Sequence, residues 1–153
     1  MNTRPVRTVS GPHSDFDDVV EAYRKALVLF LNGDPKPPPN FFSRRDDVTL
    51  ANPLGPPRRG PADVGKAIRE AAGQLSDGAI HGFEEVSRYR TADLGCIVYI
   101  ERTEARLAGR ENPTPIALRV TMIFRREGDA WKVVHRHADP ITTSGSITPV
   151  FET

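Results

Sequence analysis

Four segments with strand character occupy the second half of the chain, and only short turns separate most of them. They are Ile80–Arg90, interrupted at Gly82, then Gly95–Leu107, Pro115–Arg126 and Ala130–Ala138. Gly95–Leu107 is the richest in β-branched and aromatic residues, which suit a pleated surface. Ala108–Pro113, with Gly109 and Asn112, turns the chain once, and Glu127-Gly128-Asp129 turns it again tightly. Connectors this short cannot carry a crossover, so neighbouring strands must run antiparallel, as a meander. Any helices have to come from the first half.

Two do. Ser14 stands as N-cap with Asp17 three residues on, and Phe16, Val19, Val20, Tyr23, Leu27, Phe30 and Leu31 follow at helical spacing until Asn32-Gly33. Gly60-Pro61 opens the second helix, with Val64, Ile68, Ala71, Ala72 and Leu75 as its apolar stripe. Between them, Pro35–Pro61 holds 8 of the chain's 14 prolines and cannot be one regular element. It leaves room for a helical turn over Asn40–Arg45 and a short strand over Asp47–Ala51. Helices first and sheet second is an α+β layout. With 153 residues, one domain is expected over 14–139, preceded by a flexible leader over 1–13 and followed by an extended C-terminal tail over 140–153.

Composition narrows the function. Lys and Arg number 21 against 20 Asp and Glu, a net charge of +1. Phosphate backbones are held by a clustered positive excess, so a nucleic-acid partner is not expected. No apolar run reaches the length of a membrane span. Met1–His13 has no signal-peptide core, which points to a cytoplasmic protein. Cys96 is the single cysteine, so no intramolecular disulfide or Cys-rich zinc site can form. No glycine-rich phosphate loop, Ser-His-Asp spacing or zinc or calcium spacing is present, and neither cofactor nor metal is expected.

The segment Phe42-Ser43-Arg44-Arg45-Asp46-Asp47-Val48-Thr49-Leu50-Ala51-Asn52-Pro53-Leu54-Gly55, with Gly60 beyond it, resembles one found in the nuclear-transport-factor-2-like superfamily, home of ketosteroid isomerases and SnoaL-like polyketide cyclases. The ending Trp131-Lys132-Val133-Val134-His135-Arg136-His137-Ala138-Asp139 resembles the same superfamily. Cys96–Thr103 resembles a strand of its calmodulin-dependent-kinase association domains. The resemblance covers roughly Asp15–Asp139. It implies helices packed into the concave side of a strongly curved antiparallel sheet, a cone with a pocket at its wide end. It also implies homodimers through the outer sheet face. It does not imply one activity, because this fold hosts several.

Strand alternation, anchored on those relatives, assigns the faces. Ala138 matches a pocket position, which turns Val134 and Arg136 inward and Trp131, Val133, His135 and His137 outward. Glu101 matches another, so Tyr99 and Thr103 point inward. Thr121 matches a third, with Arg119 beside it. A bulge in either strand would reverse these assignments. The expected ligand pocket is Asn52, Tyr99, Glu101, Arg119, Thr121 and Arg136. Isomerases carry a proton-shuttling carboxylate before Pro-x-Gly. Here that place holds Asn52, which takes no proton at neutral pH. The oxyanion-hole tyrosine of those relatives aligns with Ala26, and their protonated aspartate with Thr121 or Met122. Steroid-isomerase chemistry with that residue set is therefore not expected.

Buried arginines need partners, so Glu101 is expected to pair with Arg119 or Arg136. One reading is a structural ion-pair network. The other leaves a guanidinium free to grip a carboxylate or enolate-like ligand. His135, His137 and Asp139 form a second candidate acid–base set, should they face inward. Tyr23 and Tyr99 can each lend a hydroxyl to the pocket, and Tyr23 is assigned first to helix packing. Two functions stay open: a SnoaL-like protein that binds a small organic molecule, with or without acid–base catalysis of isomerase, cyclase or hydrolase type, or a non-catalytic dimeric assembly or ligand-sensing module.

Overall fold

The strand segments join into one open six-stranded sheet, and the two longer helices pack against one face of it. The computed structural model describes residues 15–36 and 40–151. The expected leader and Ser14 lie outside the described residues. Helix α1 (Phe16–Leu31) is capped by Asp15, whose carboxylate accepts the Phe16 N–H at 2.7 Å. It buries Phe16, Val20, Tyr23, Leu27 and Leu31, the i, i+3/i+4 stripe its sequence carries. It stops at Asn32 and at Gly33, whose φ of +90° only glycine adopts without strain.

The remaining elements are β1 (Thr49–Ala51), β2 (Arg58–Arg59), α2 (Pro61–Ala72), β3 (Leu75–Arg90), β4 (Leu94–Leu107), β5 (Thr114–Glu127), β6 (Ala130–Asp139) and the short α3 (Thr148–Phe151). Sheet order is β2-β1-β6-β5-β4-β3. The meander β3 to β6 is antiparallel throughout. At its far edge β1 pairs parallel with β6, Leu50 opposite Arg136. That parallel edge does not follow from turn lengths, since the intervening chain is long enough for any crossover. Pairing places the Asn52 turn, which follows β1, beside the end of β6.

Several expected boundaries shift. Leu75 opens β3 instead of closing α2, because the helix ends at Ala72 and Gly73 follows as its cap. Strand β3 runs five residues further back than Ile80 and passes through Gly82, its irregularities absorbed by three register shifts. Only Asn40 and Phe41 are helical in the expected turn, and Phe42 already bridges Val133. The segment after Asp139 ends in α3 instead of staying extended.

Bulges add bend and twist to a strand pair, and the three in β3 lie along the strand that α1 crosses. Gly78 approaches α1 so closely that a Cβ there would stand 2.3 Å from the Leu31 Cβ. Asn32 locks this contact: it donates to the Gly78 carbonyl at 3.1 Å and accepts the Gly78 N–H at 3.0 Å. Deeper in, Phe16 meets Phe124 edge-on at 5.3 Å and Trp131 at the same distance. The core therefore fills one end of the α1–sheet sandwich. The other end is less completely filled.

Candidate functional site

At that less filled end lies a cavity of about 260 Å³. Leu27 and Leu31 of α1, Ile68 of α2, Ile116 and Leu118 of β5 make most of its wall apolar, and Asn52, Pro53 and Leu54 stand at its rim. Its polar end is built by strands β4 and β6, which flank β5, and by helix α1. Successive inward positions of β4 supply Tyr99, Glu101 and Thr103, all buried. Strand β6 supplies Arg136, and α1 supplies Tyr23.

Glu101 and Arg136, 3% and 9% exposed, form the bidentate pair that the sequence suggested. Arg136 Nη2 donates to Glu101 Oε1 at 3.1 Å and Oε2 at 3.2 Å, and Nη1 donates to Oε2 at 3.3 Å. Nη1 also donates to the Tyr99 hydroxyl at 3.2 Å, and that hydroxyl donates to Glu101 Oε2 at 3.2 Å. The Met122 sulfur lies 3.4 Å from the same hydroxyl. Burial works against the Arg136 charge, but the Glu101 carboxylate beside it outweighs that and holds the guanidinium firmly protonated. Burial raises the Tyr99 and Tyr23 phenols above their ordinary range, so both are neutral donors. The Arg136 guanidinium carbon sits 5.9 Å from the Tyr23 ring centre. A second guanidinium, Arg24, stacks on the outer side of this group, 5.1 Å from the Tyr99 ring and 4.9 Å from Phe83.

The structure brings together four of the six expected pocket residues. Asn52, Glu101 and Arg136 line the cavity, and Tyr99 lies behind them, bonded to the pair. Asn52 uses its side-chain oxygen to accept the Leu54 N–H at 3.2 Å, an Asx turn that shapes the rim. Arg119 and Thr121 are elsewhere. In β5 the inward residues are Leu118, Val120, Met122 and Phe124, so Arg119 and Thr121 face outward. The Arg119 side chain is 51% exposed and grips Asp139 through two nitrogens, at 2.8–3.2 Å. The expected inward parity of β5 is thus off by one residue.

Strand β6 shows why parity is fragile. Its register shifts between Ile123 opposite His135 and Phe124 opposite Val133, leaving Val134 as the extra residue. Trp131 and Val133, expected outside, are consequently buried with Arg136 and Ala138, and Val134 is not on their face.

His135, His137 and Asp139 do not line the cavity. His135 Nδ1 lies 2.8 Å from Thr49 Oγ1, and burial, then the His137 charge, hold its imidazole below the usual range. His137 is half-exposed and 3.2 Å from Asp139. Burial disfavours the Asp139 carboxylate, but hydrogen bonds from Arg119 and the Ile141 N–H outweigh that and hold it below the usual range. These three are an outer-face cluster. Two residues at the polar end were not in the expected set. Tyr23 was assigned to helix packing ahead of a pocket hydroxyl, and its spacing from Leu27 and Leu31 puts it on the cavity stripe. Thr103 shares the inward parity of Glu101.

The sequence model of the SnoaL-like domain matches residues 19–142, well over half of the chain. The chain belongs to the SnoaL-like domain family. Solved structures agree on the fold. One is named as a candidate calcium/calmodulin-dependent protein kinase type II association domain, from Thiobacillus denitrificans ATCC 25259. It is 22% identical with a TM-score of 0.67, covering 87% of this chain and all of its own. Another is a candidate dehydratase of the NTF2-like family from Streptomyces avermitilis, 19% identical, TM-score 0.68, over 82% of this chain and 92% of its own. A ketosteroid isomerase-like protein from Erwinia carotovora atroseptica is 17% identical, TM-score 0.68, over 83% and 94%. No curated protein matches the chain. Among the described residues of this SnoaL-like domain, no helix is long and apolar enough to cross a membrane.

Proposed function

We propose that this SnoaL-like protein binds a small, largely apolar organic molecule in the cavity between α1, α2 and the sheet. The observation that carries the reading is an apolar chamber of about 260 Å³ ending on an ordered polar group. Ligand sites combine apolar walls with a few placed polar groups in this way. An apolar cavity of roughly 150 Å³ holds one benzene ring. In proportion, this chamber suits a ligand of about ten non-hydrogen atoms, and its rim admits a longer one. The dehydratase and isomerase-like names among its structural neighbours support the same direction.

Acid–base catalysis is the more demanding version of this reading. Asn52 cannot act as the proton shuttle. Among the described residues lining the cavity Glu101 is the one carboxylate, and both its oxygens are engaged by Arg136. A carboxylate so held is a poor base, so the geometry favours binding over proton abstraction. Isothermal titration with neutral aromatic ketones and amides tests the site, alongside Leu118→Trp, which fills the chamber. Binding by the wild type that Leu118→Trp abolishes supports the reading. Binding unaffected by Leu118→Trp places the ligand elsewhere and refutes it.

A dimer is part of the proposal on a separate observation. The outward residues Val98 and Ile100 of β4 and Ile123 of β5 form a half-buried apolar band, a surface suited to a second copy. Light scattering on Ile123→Lys checks it: a wild-type dimer that becomes a monomer supports the face, and an unchanged oligomer rejects it.

A further inference from the structure

We propose that Glu101 makes the cavity selective for neutral ligands, so that the protein takes ketones, esters, amides or alcohols and rejects their carboxylate counterparts. This rests on the binding reading above. The argument is one of charge and donor accounting. Among the described residues lining the cavity, Glu101 and Arg136 are the only charged side chains, and they neutralise each other. A free guanidinium in an apolar chamber would be a carboxylate site. Here an internal carboxylate already occupies it, with both terminal nitrogens of Arg136 donating to Glu101 and one of them to Tyr99 as well.

Among the described lining residues a ligand carboxylate would meet no spare cation. Either it stays unpaired in the apolar chamber, or it displaces Glu101 and leaves that group unpaired at 3% exposure. Both outcomes bury an uncompensated charge, which is costly. A carbonyl or hydroxyl oxygen needs only a hydrogen bond. Tyr23 and Thr103 line the cavity; Arg136, which can only donate, engages the Tyr23 oxygen and leaves its hydroxyl proton for a ligand. Burial keeps Tyr23 protonated and able to donate. The chamber thus offers neutral donors and withholds its cation.

Isosteric probes separate the two ligand classes. Benzylacetone, hydrocinnamamide and hydrocinnamate share one size, about that of the chamber, and differ in the charge of one end. Titration calorimetry of the wild type at neutral pH should give the ketone or amide at least roughly tenfold tighter binding than the carboxylate. Hydrocinnamate should tighten as the pH falls into the range where it takes up a proton. Glu101→Gln should shift the preference toward hydrocinnamate by roughly tenfold or more, because Arg136 is then unpaired. If that variant does not fold, the wild-type ratio and its pH dependence decide alone. Wild-type hydrocinnamate binding equal to or tighter than benzylacetone, with no gain in acid, overturns the proposal while leaving the binding reading intact. Failure of all three probes to bind overturns both.

Discussion

Removing one member of the Glu101–Arg136 pair should cost far more than removing both. The two groups are 3.1 Å apart at their closest atoms and nearly inaccessible. At an effective dielectric of about 20, unit charges about 4 Å apart attract by about 4 kcal/mol. That attraction and the hydrogen bonds offset the cost of taking both charges out of water. Arg136→Met leaves the carboxylate without a partner and Glu101→Leu strands the guanidinium, so each single change should cost about 3–5 kcal/mol. The double variant removes both penalties and fills the space with apolar atoms. It should lie within about 1–2 kcal/mol of the wild type, the residue reflecting the Tyr99 hydroxyl, which loses its acceptor. Trp131 is the chain's only tryptophan and is 4% exposed, so its fluorescence reports unfolding directly. Urea titrations of the four proteins give the coupling energy, which these figures put at about 4 kcal/mol or more. Single variants costing under about 1 kcal/mol, or costs that simply add in the double variant, would refute a buried, mutually dependent pair.

Further outcomes follow from other parts of the structure. Gly78→Ala must push against the Leu31 backbone, whose carbonyl oxygen would stand 2.5 Å from the new Cβ. It should cost about 1–3 kcal/mol in urea titration, and a neutral result would contradict this packing of α1 on β3. Arg119→Ala should leave ligand affinity and the urea midpoint unchanged, because Arg119 faces outward; a large affinity loss would return it to the pocket. His135 is held below the usual imidazole range, so the folded chain takes up this proton less readily than the unfolded chain. Its stabilisation is complete above the unfolded value of about 6.5 and is lost as pH falls through the folded value. His135→Gln should flatten stability across that window, and an unchanged slope would show that another group titrates there.

The antiparallel meander and the two helices were legible because each rests on local rules: turn length, capping, and periodicity of 2 or 3.6. The Glu101–Arg136 pair was legible for a different reason, since a buried arginine must find a carboxylate and Glu101 shares the inward parity. What the sequence did not reveal depends on single-residue registers. Arg119 and Thr121 alternate as regularly as Val120 and Met122, and only pairing against β4 and β6 decides which set turns inward. The apolar character of Val120, Met122 and Phe124 was the signal available. It pointed to the correct face and conflicted with the parity taken from distant relatives.

The bulge at Val134 carries the same lesson into the site itself. Without it, β6 could not place both Trp131–Val133 and Arg136–Ala138 on one face, because odd and even positions alternate strictly. The first pair belongs to the apolar core against Phe16 and Phe124. The second pair lines the cavity. One inserted residue therefore lets a single ten-residue strand serve a packed core at one end and a charged group at the other. Deleting Val134 should force a choice between burying Trp131 and burying Arg136. Because Arg136 without Glu101 costs more than an exposed indole, the core end should yield. Red-shifted Trp131 fluorescence with a retained Glu101–Arg136 coupling would show that choice, and an unshifted spectrum would show that the bulge does not set the two faces.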